Sequence, residues 1–111
     1  MDNRKDDKYY AAKALKEIEA IEKYFQQKSY QELIGDGLLL DAVMFRLVQM
    51  VEHVKNLSVE FKMGHPEIPW RKITGFRNTI VHEYGRTDYS VVYEVITKNL
   101  SSLKEVLSFA E

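Results

Sequence analysis

The sequence contains no cysteine, two prolines and five glycines among its 111 residues. Without cysteine the chain forms no disulfide, thiolate metal site or thiol nucleophile, which fits a reducing cytoplasm. Both prolines lie in the segment HPEIPW (65–70), so the long stretches on either side lack this helix breaker. No apolar run approaches the roughly 18 residues of a membrane span, and the charged start MDNRKDDKYY does not resemble a signal peptide. We expect one soluble cytoplasmic domain over residues 1–111, without a membrane partner.

An excess of charge of one sign is also missing. Sixteen basic and 17 acidic residues give a net charge of −1, which argues against a protein that coats nucleic acid nonspecifically, and we expect no DNA partner. Although the net charge is close to zero, the charges are unevenly distributed along the chain. The segment 71–86 holds four basic residues (Arg71, Lys72, Arg77 and Arg86) and one acidic residue (Glu83), so it carries +3 while the remainder carries −4. The sequence therefore predicts a local site for a polyanion.

Apolar residues recur at spacings of three and four along most of the chain, which is typical of helices with one buried face. The pattern predicts main helices over about 5–27, 38–56 and 69–84, and a fourth that starts after Asp88 as N-cap. No alternating strand pattern competes. The predicted fold is an all-α, antiparallel up-down bundle of four main helices with short extra helices.

Smaller signals predict how the helices begin and end. Ser29, with Glu32 three residues later, forms a potential capping box for a short helix, which we expect Gly35 and Gly37 to end. In the fourth helix, we expect Asn99, Ser101 and Ser102 to bend or break the helix.

The segment RNTIVHEY (77–84) places polar side chains in an otherwise apolar helix. At 100° per residue, Arg77 falls in the same sector as Ile73 and Ile80, where a cation is costly unless it is paired or reaches water. Glu52 and Asp41 of the second main helix are the candidate ion-pair partners. On the opposite side, Gly75, Asn78 and His82 form a row at helical spacing.

Spacing alone is also compatible with purely structural roles for these residues. Arg77 and His82 are separated by about 140° around the helix, so they do not form a metal-chelating pair, and a polyanion site that spans both flanks fits better. A single histidine on a helix is usually hydrogen-bonded within the protein or at its surface. Arg77 alone is more often part of a structural ion pair, and Tyr84 alone more often belongs to the core or its rim. We expect His53 and His65, which lack a surrounding motif, to be structural.

The same segment resembles the R-N-x-x-x-H-x-Y signature of HepT-like toxins, a branch of the HEPN superfamily of all-helical domains. IPW (68–70) resembles the Ile-Pro-Trp that precedes this signature. AVMFRLVQMVEHVKNLS (42–58) is similar to the family's second-helix pattern, with Glu52 in the place of its glutamate. Two positions depart from the pattern: Val51 replaces a glycine, and Phe45 stands where arginine is common.

The resemblance implies a metal-independent endoribonuclease that uses no cofactor and acts on RNA as a homodimer, with the two signature helices at a shared cleft. It also implies a minimal nucleotidyltransferase antitoxin that transfers AMP to a tyrosine. Carried over by motif position, Arg77 and His82 are catalytic, Asn78 supports them and Tyr84 is the AMP acceptor. The alternative is a non-catalytic helical module that binds a nucleotidyltransferase or a nucleotide; the intact signature favours the enzyme.

Overall fold

Helices account for every regular element in the part of the chain that the structure describes. This structure, a computed structural model, describes residues 6–82 and 88–110, and for 77–82 it describes the backbone alone. The elements are α1 (Asp7–Phe25), α2 (Tyr30–Gly35), α3 (Gly37–Lys55), α4 (Val59–Met63), α5 (Trp70–His82), α6 (Tyr89–Glu94), a π-helical segment (Val95–Asn99) and α7 (Leu100–Ser108). The predicted all-α class is confirmed, while the division into four main helices stays a prediction.

The core forms where the predicted apolar stripes meet. Helices α1 and α3 pack along each other, and α5 and α7 pack against α3 and α1 respectively. All buried side chains among the described residues are apolar. Val51, which stands where the resemblance leads us to expect a glycine, has 0% of its surface exposed and fills part of this core. Among the described helices, none has the length and apolar character needed to cross a bilayer.

Side-chain caps set the starts of the first three helices. The backbone N–H of Glu32 donates to Ser29 Oγ at 3.1 Å, and that of Ser29 donates to Glu32 Oε1 at 2.8 Å, which confirms the capping box. These hydrogen bonds lower the pKa of Glu32. The expectation for Gly37 is wrong: it is the first residue of α3. Asp36 explains this, because its Oδ1 accepts from the N–H of Leu39 at 3.1 Å and so starts a new helix.

Predicted helix boundaries hold to within about two residues where the structure describes them. The first helix ends at Phe25 instead of Gln27, because Gln26 and Gln27 adopt left-handed φ angles of 48° and 57° and turn the chain. The expected start at residue 5 and the expected end of the third helix at Tyr84 lie outside the described residues.

The π-helical segment joins α6 to α7 so that the apolar residues of both helices lie in the same core. In a regular α-helix, Asn99 would lie on the same face as Val92, which is seven residues earlier and fully buried. Instead, the N–H of Leu100 donates to the carbonyl of Val95, five residues back. This wider turn brings Leu100, 2% exposed, onto the buried face in place of Asn99. The polar segment therefore changes the hydrogen bonding of the helix without ending it.

Candidate functional site on helix α5

Helix α5, which carries the signature, packs against α3 with one well-defined buried face. Ile73 is 1% exposed and Phe76 is 5% exposed, and Ile68, just before the helix, is 3% exposed. These side chains join the main core. Over the residues whose side chains are described, the predicted apolar side of α5 is therefore the side that faces α3.

The start of α5 is fixed by hydrogen bonds from its first residue. The indole N–H of Trp70 donates to the carbonyl oxygens of Lys62 and His65, both at 3.0 Å. The N–H of Ile73 donates to the carbonyl of Pro69 at 3.1 Å, so this proline accepts the first helical hydrogen bond where its missing N–H is not needed. These contacts tie α5 to the α4 region and limit its rotation about its own axis.

A chain of ring contacts leads from Trp70 through Phe61 and His65 to Phe109. The ring centroid of Phe61 lies 6.2 Å from that of Trp70 and 4.8 Å from that of His65, and the Phe109 ring stacks on His65 at 6.4 Å. His65 Nδ1 also lies 3.6 Å from Glu67 Oε2. His65 thus takes part in packing at this end of the molecule, as expected for a structural histidine.

The opposite face of α5 is open. Arg71, Lys72 and Gly75 are all exposed. Lys72 Nζ lies 2.6 Å from Glu94 Oε1, and this hydrogen bond lowers the pKa of Glu94. Sequence patterns could not indicate this ion pair, because it joins two residues that are 22 positions apart and lie on different helices. A Cβ added at Gly75 would meet no described atom within 4 Å.

That glycine is therefore not required for packing among the described residues. A glycine inside a helix destabilises it by roughly 0.5–1 kcal/mol relative to alanine. The exposed face of α5 is consequently flat at its midpoint, at a modest cost in stability.

The structure places three of the four signature residues on α5. Asn78 and His82 follow Gly75 by three and seven residues, which puts them on the open face by helical register. Arg77 follows Ile73 by four residues and so belongs to the flank nearer α3. The side chains of these three residues, and the whole of Tyr84, lie outside the described residues.

Helix α3 carries both candidate ion-pair partners of Arg77, and the environments of these two acidic residues differ. Asp41 is exposed, whereas Glu52 is half-buried and its Oε2 atom is buried. A carboxylate in such a place is stabilised by a nearby cation more strongly than an exposed one. Burial therefore favours Glu52, and the ion pair itself stays a prediction.

The other sequence departure also lies on α3. Phe45 is 59% exposed. The guanidinium of its neighbour Arg46 donates to Glu17 Oε1 and to Tyr24 Oη, both at 3.1 Å. The hydrogen bond to Glu17 is the main cause of the raised pKa of Arg46. Both hydrogen-bond acceptors of Arg46 therefore lie on α1.

No group of three or more histidine, cysteine or acidic side chains among residues 6–76 and 88–110 is arranged to hold a metal ion. By sequence, the signature contributes a guanidinium, an imidazole and an amide group from Arg77, His82 and Asn78. Those groups recognise and act on phosphate esters.

Comparison with known proteins agrees with this chemistry. The chain is 34% identical over 102 residues to a Methanocaldococcus jannaschii protein named "Gamma-glutamylcyclotransferase and putative RNase", covering 92% of this chain and 46% of that protein. It is 31% identical over 96 residues to a Caldanaerobacter subterraneus protein named "Putative RNase", covering 86% of each. It is 30% identical over 101 residues to a Thermococcus cleftensis protein named "Probable ribonuclease HepT", covering 91% of this chain and 92% of that one.

The chain thus spans about half the length of the first of these relatives, and the cyclotransferase in that name belongs to that protein. No solved structure matches the chain. The family model described as "Ribonuclease HepT-like" matches residues 14–109, which is nearly the whole chain. The chain therefore belongs to the HepT-like ribonuclease family.

Proposed function

We propose that this protein is a metal-independent endoribonuclease and the toxin of a toxin–antitoxin pair. The observation that carries the proposal is the division of α5 into a buried face around Ile73 and an open face to which register assigns Asn78 and His82. This open face lies in the segment that carries +3 in a chain of net charge −1. An RNA backbone is the polyanion that such a site fits.

The reaction follows from the chemistry of the signature residues. A base removes the proton of the ribose 2'-OH, and the 2'-oxygen forms a bond to the adjacent phosphorus. The bond from phosphorus to the 5'-oxygen breaks, and an acid gives that oxygen a proton, leaving a 2',3'-cyclic phosphate. Histidine, which titrates near neutrality, can perform either proton transfer. Arg77 stabilises the negative charge that builds up on the phosphorane through paired hydrogen bonds.

One histidine cannot be neutral and protonated at the same time, so the mechanism needs two. A homodimer supplies them when the two α5 helices form opposite walls of one cleft, because a twofold axis brings identical faces together. His82 of one protomer then acts as base and that of its partner as acid. Asn78, one turn before His82, orients the imidazole or holds a phosphate oxygen.

Glu52 is proposed to hold Arg77 in place. A guanidinium on the flank of α5 nearest α3 can lie beside the half-buried carboxylate of Glu52 and still present its other N–H groups to the cleft. A carboxylate in this role orients the arginine without taking part in the reaction.

Regulation is proposed to act at Tyr84, seven residues after Arg77 and therefore on nearly the same side of a continued helix. An antitoxin nucleotidyltransferase transfers AMP from ATP to the tyrosine hydroxyl and releases pyrophosphate. The attached phosphodiester gives Arg77 an intramolecular anion, and the adenosine occupies space that the RNA needs. The modified toxin is inert through charge and occlusion.

The direct test is cleavage of RNA by purified protein in the presence of EDTA. We expect cleavage with 2',3'-cyclic phosphate ends, visible by mass spectrometry of the products. His82→Ala should lose about 10²- to 10⁴-fold in rate, because it removes the acid and base. Arg77→Ala should lose about 10²- to 10³-fold, because it removes charge stabilisation. Circular dichroism should show both variants folded.

Dependence on added magnesium, or full activity in both variants, would contradict the proposal. A folded protein that binds the nucleotidyltransferase and cuts no RNA would instead support the non-catalytic module.

The proposed partner of Arg77 is testable by stability. Glu52→Gln should lower the free energy of unfolding by about 1–3 kcal/mol, because it removes a charged hydrogen-bond partner at a half-buried site. Asp41→Asn, the matched control on the same helix, should change it by less than about 0.5 kcal/mol because Asp41 is exposed. Urea titration measures both. In an Arg77→Ala background the loss at Glu52 should shrink; an equal loss in both backgrounds would rule out the pair.

Co-expression with the nucleotidyltransferase tests the role of Tyr84. We expect an AMP adduct on the peptide that contains Tyr84, together with loss of RNA cleavage. Tyr84→Phe should cleave RNA and resist silencing by the transferase with ATP and magnesium, because it lacks the acceptor oxygen. A reproducible adduct on Tyr89 or Tyr93, with Tyr84 unmodified, would overturn this assignment.

A further inference from the structure

The open face of α5 extends further than the signature. Arg71 lies four, seven and eleven residues before Gly75, Asn78 and His82, so all four fall within one sector of the helix of about 60°. Along the axis, Arg71 is about 16 Å from His82. The row is therefore long enough to follow a strand beyond the phosphate at which the reaction occurs.

Arg71 stands in an unfavourable place for a structural cation. It belongs to the first turn of α5, where the helix dipole favours negative charge, and that turn contains no acidic residue. Its neighbour Lys72 is offset by the carboxylate of Glu94 at 2.6 Å. Arg71 is exposed and forms no ion pair or hydrogen bond through its side chain with any described residue. Its guanidinium is thus available to a ligand on the open face.

The surface between Arg71 and the signature is also open. Gly75 lies midway, and even an added Cβ there would meet no described atom within 4 Å. A backbone chain can approach the helix closely at such a position. The guanidinium, with its fork of N–H donors, is suited to bind two oxygens of a phosphate at the far end of this surface.

We infer that Arg71 binds an RNA phosphate more than one nucleotide away from the bond that is cut, and so positions the strand along α5. This rests on the proposed ribonuclease function. Arg71 is a positioning residue, since it touches the substrate backbone away from the reacting atoms. Backbone contacts of this kind set the register of a nucleic acid without reading its sequence.

The experiment measures binding of wild type and variants to single-stranded RNA with 2'-O-methyl riboses, which cannot be cut by 2'-OH attack. Arg71→Gln should weaken binding about 5- to 30-fold and reduce the slope of log affinity against log salt by about 0.7, as for loss of one phosphate contact to a single strand. Arg71→Lys should keep the salt slope. Lys16→Gln, an exposed charge on α1, is the matched control and should bind like wild type.

A second arm separates positioning from a structural effect. With cleavable RNA, Arg71→Gln should raise KM several-fold, and its thermal unfolding should match wild type because the side chain forms no ion pair or hydrogen bond with described residues. Binding within twofold of wild type with the same salt slope would overturn the inference, as would an equal loss in Lys16→Gln. If wild type binds RNA without cutting it, the proposed ribonuclease function is wrong. The binding measurements on 2'-O-methyl RNA then still show whether Arg71 contacts a phosphate.

Discussion

Burial of one face of α5 against the core is the constraint on which the rest of the site depends. Ile73 and Phe76 are almost fully buried, and the indole of Trp70 ties the start of the helix to two carbonyl oxygens. Turning α5 by a single residue, about 100°, would expose this apolar surface and bury charge. The fold therefore decides which residues of the helix face outwards before any chemistry is considered.

Several residue types on the exposed side of α5 would destabilise this helix in isolation. Two cations occupy the first turn, and an exposed glycine lies between the buried residues Ile73 and Phe76. Register also assigns Arg77 to the flank beside the apolar core. Residues that destabilise their own helix are expected at functional sites, where the side chain is needed for function. In the proposed account Arg71 binds a phosphate of the RNA, Gly75 lets the strand approach the helix, and Arg77 stabilises charge on the reacting phosphorus.

The sequence predicts the parts of the structure that depend on local patterns. The buried Ile73 face and the exposed position of Gly75 follow from helical periodicity, and the family from the signature. Features that depend on distant residues are harder to anticipate. The ion pair of Lys72 with Glu94 joins separate helices, and the π turn before Leu100 follows from the need to keep two apolar stretches in one core. The prediction that Gly37 helps to end a helix is wrong because the preceding residue, Asp36, caps the start of α3.

The central claim is that one active site needs His82 from both protomers. Wild type mixed with inactive His82→Ala protein, unfolded and refolded together so that subunits exchange at random, tests this directly. If both histidines are required, activity falls with the square of the wild-type fraction, to about a quarter in an equal mixture, because only wild-type pairs are active. Activity that falls in simple proportion, to about a half, would show that each chain works alone and would contradict the composite site.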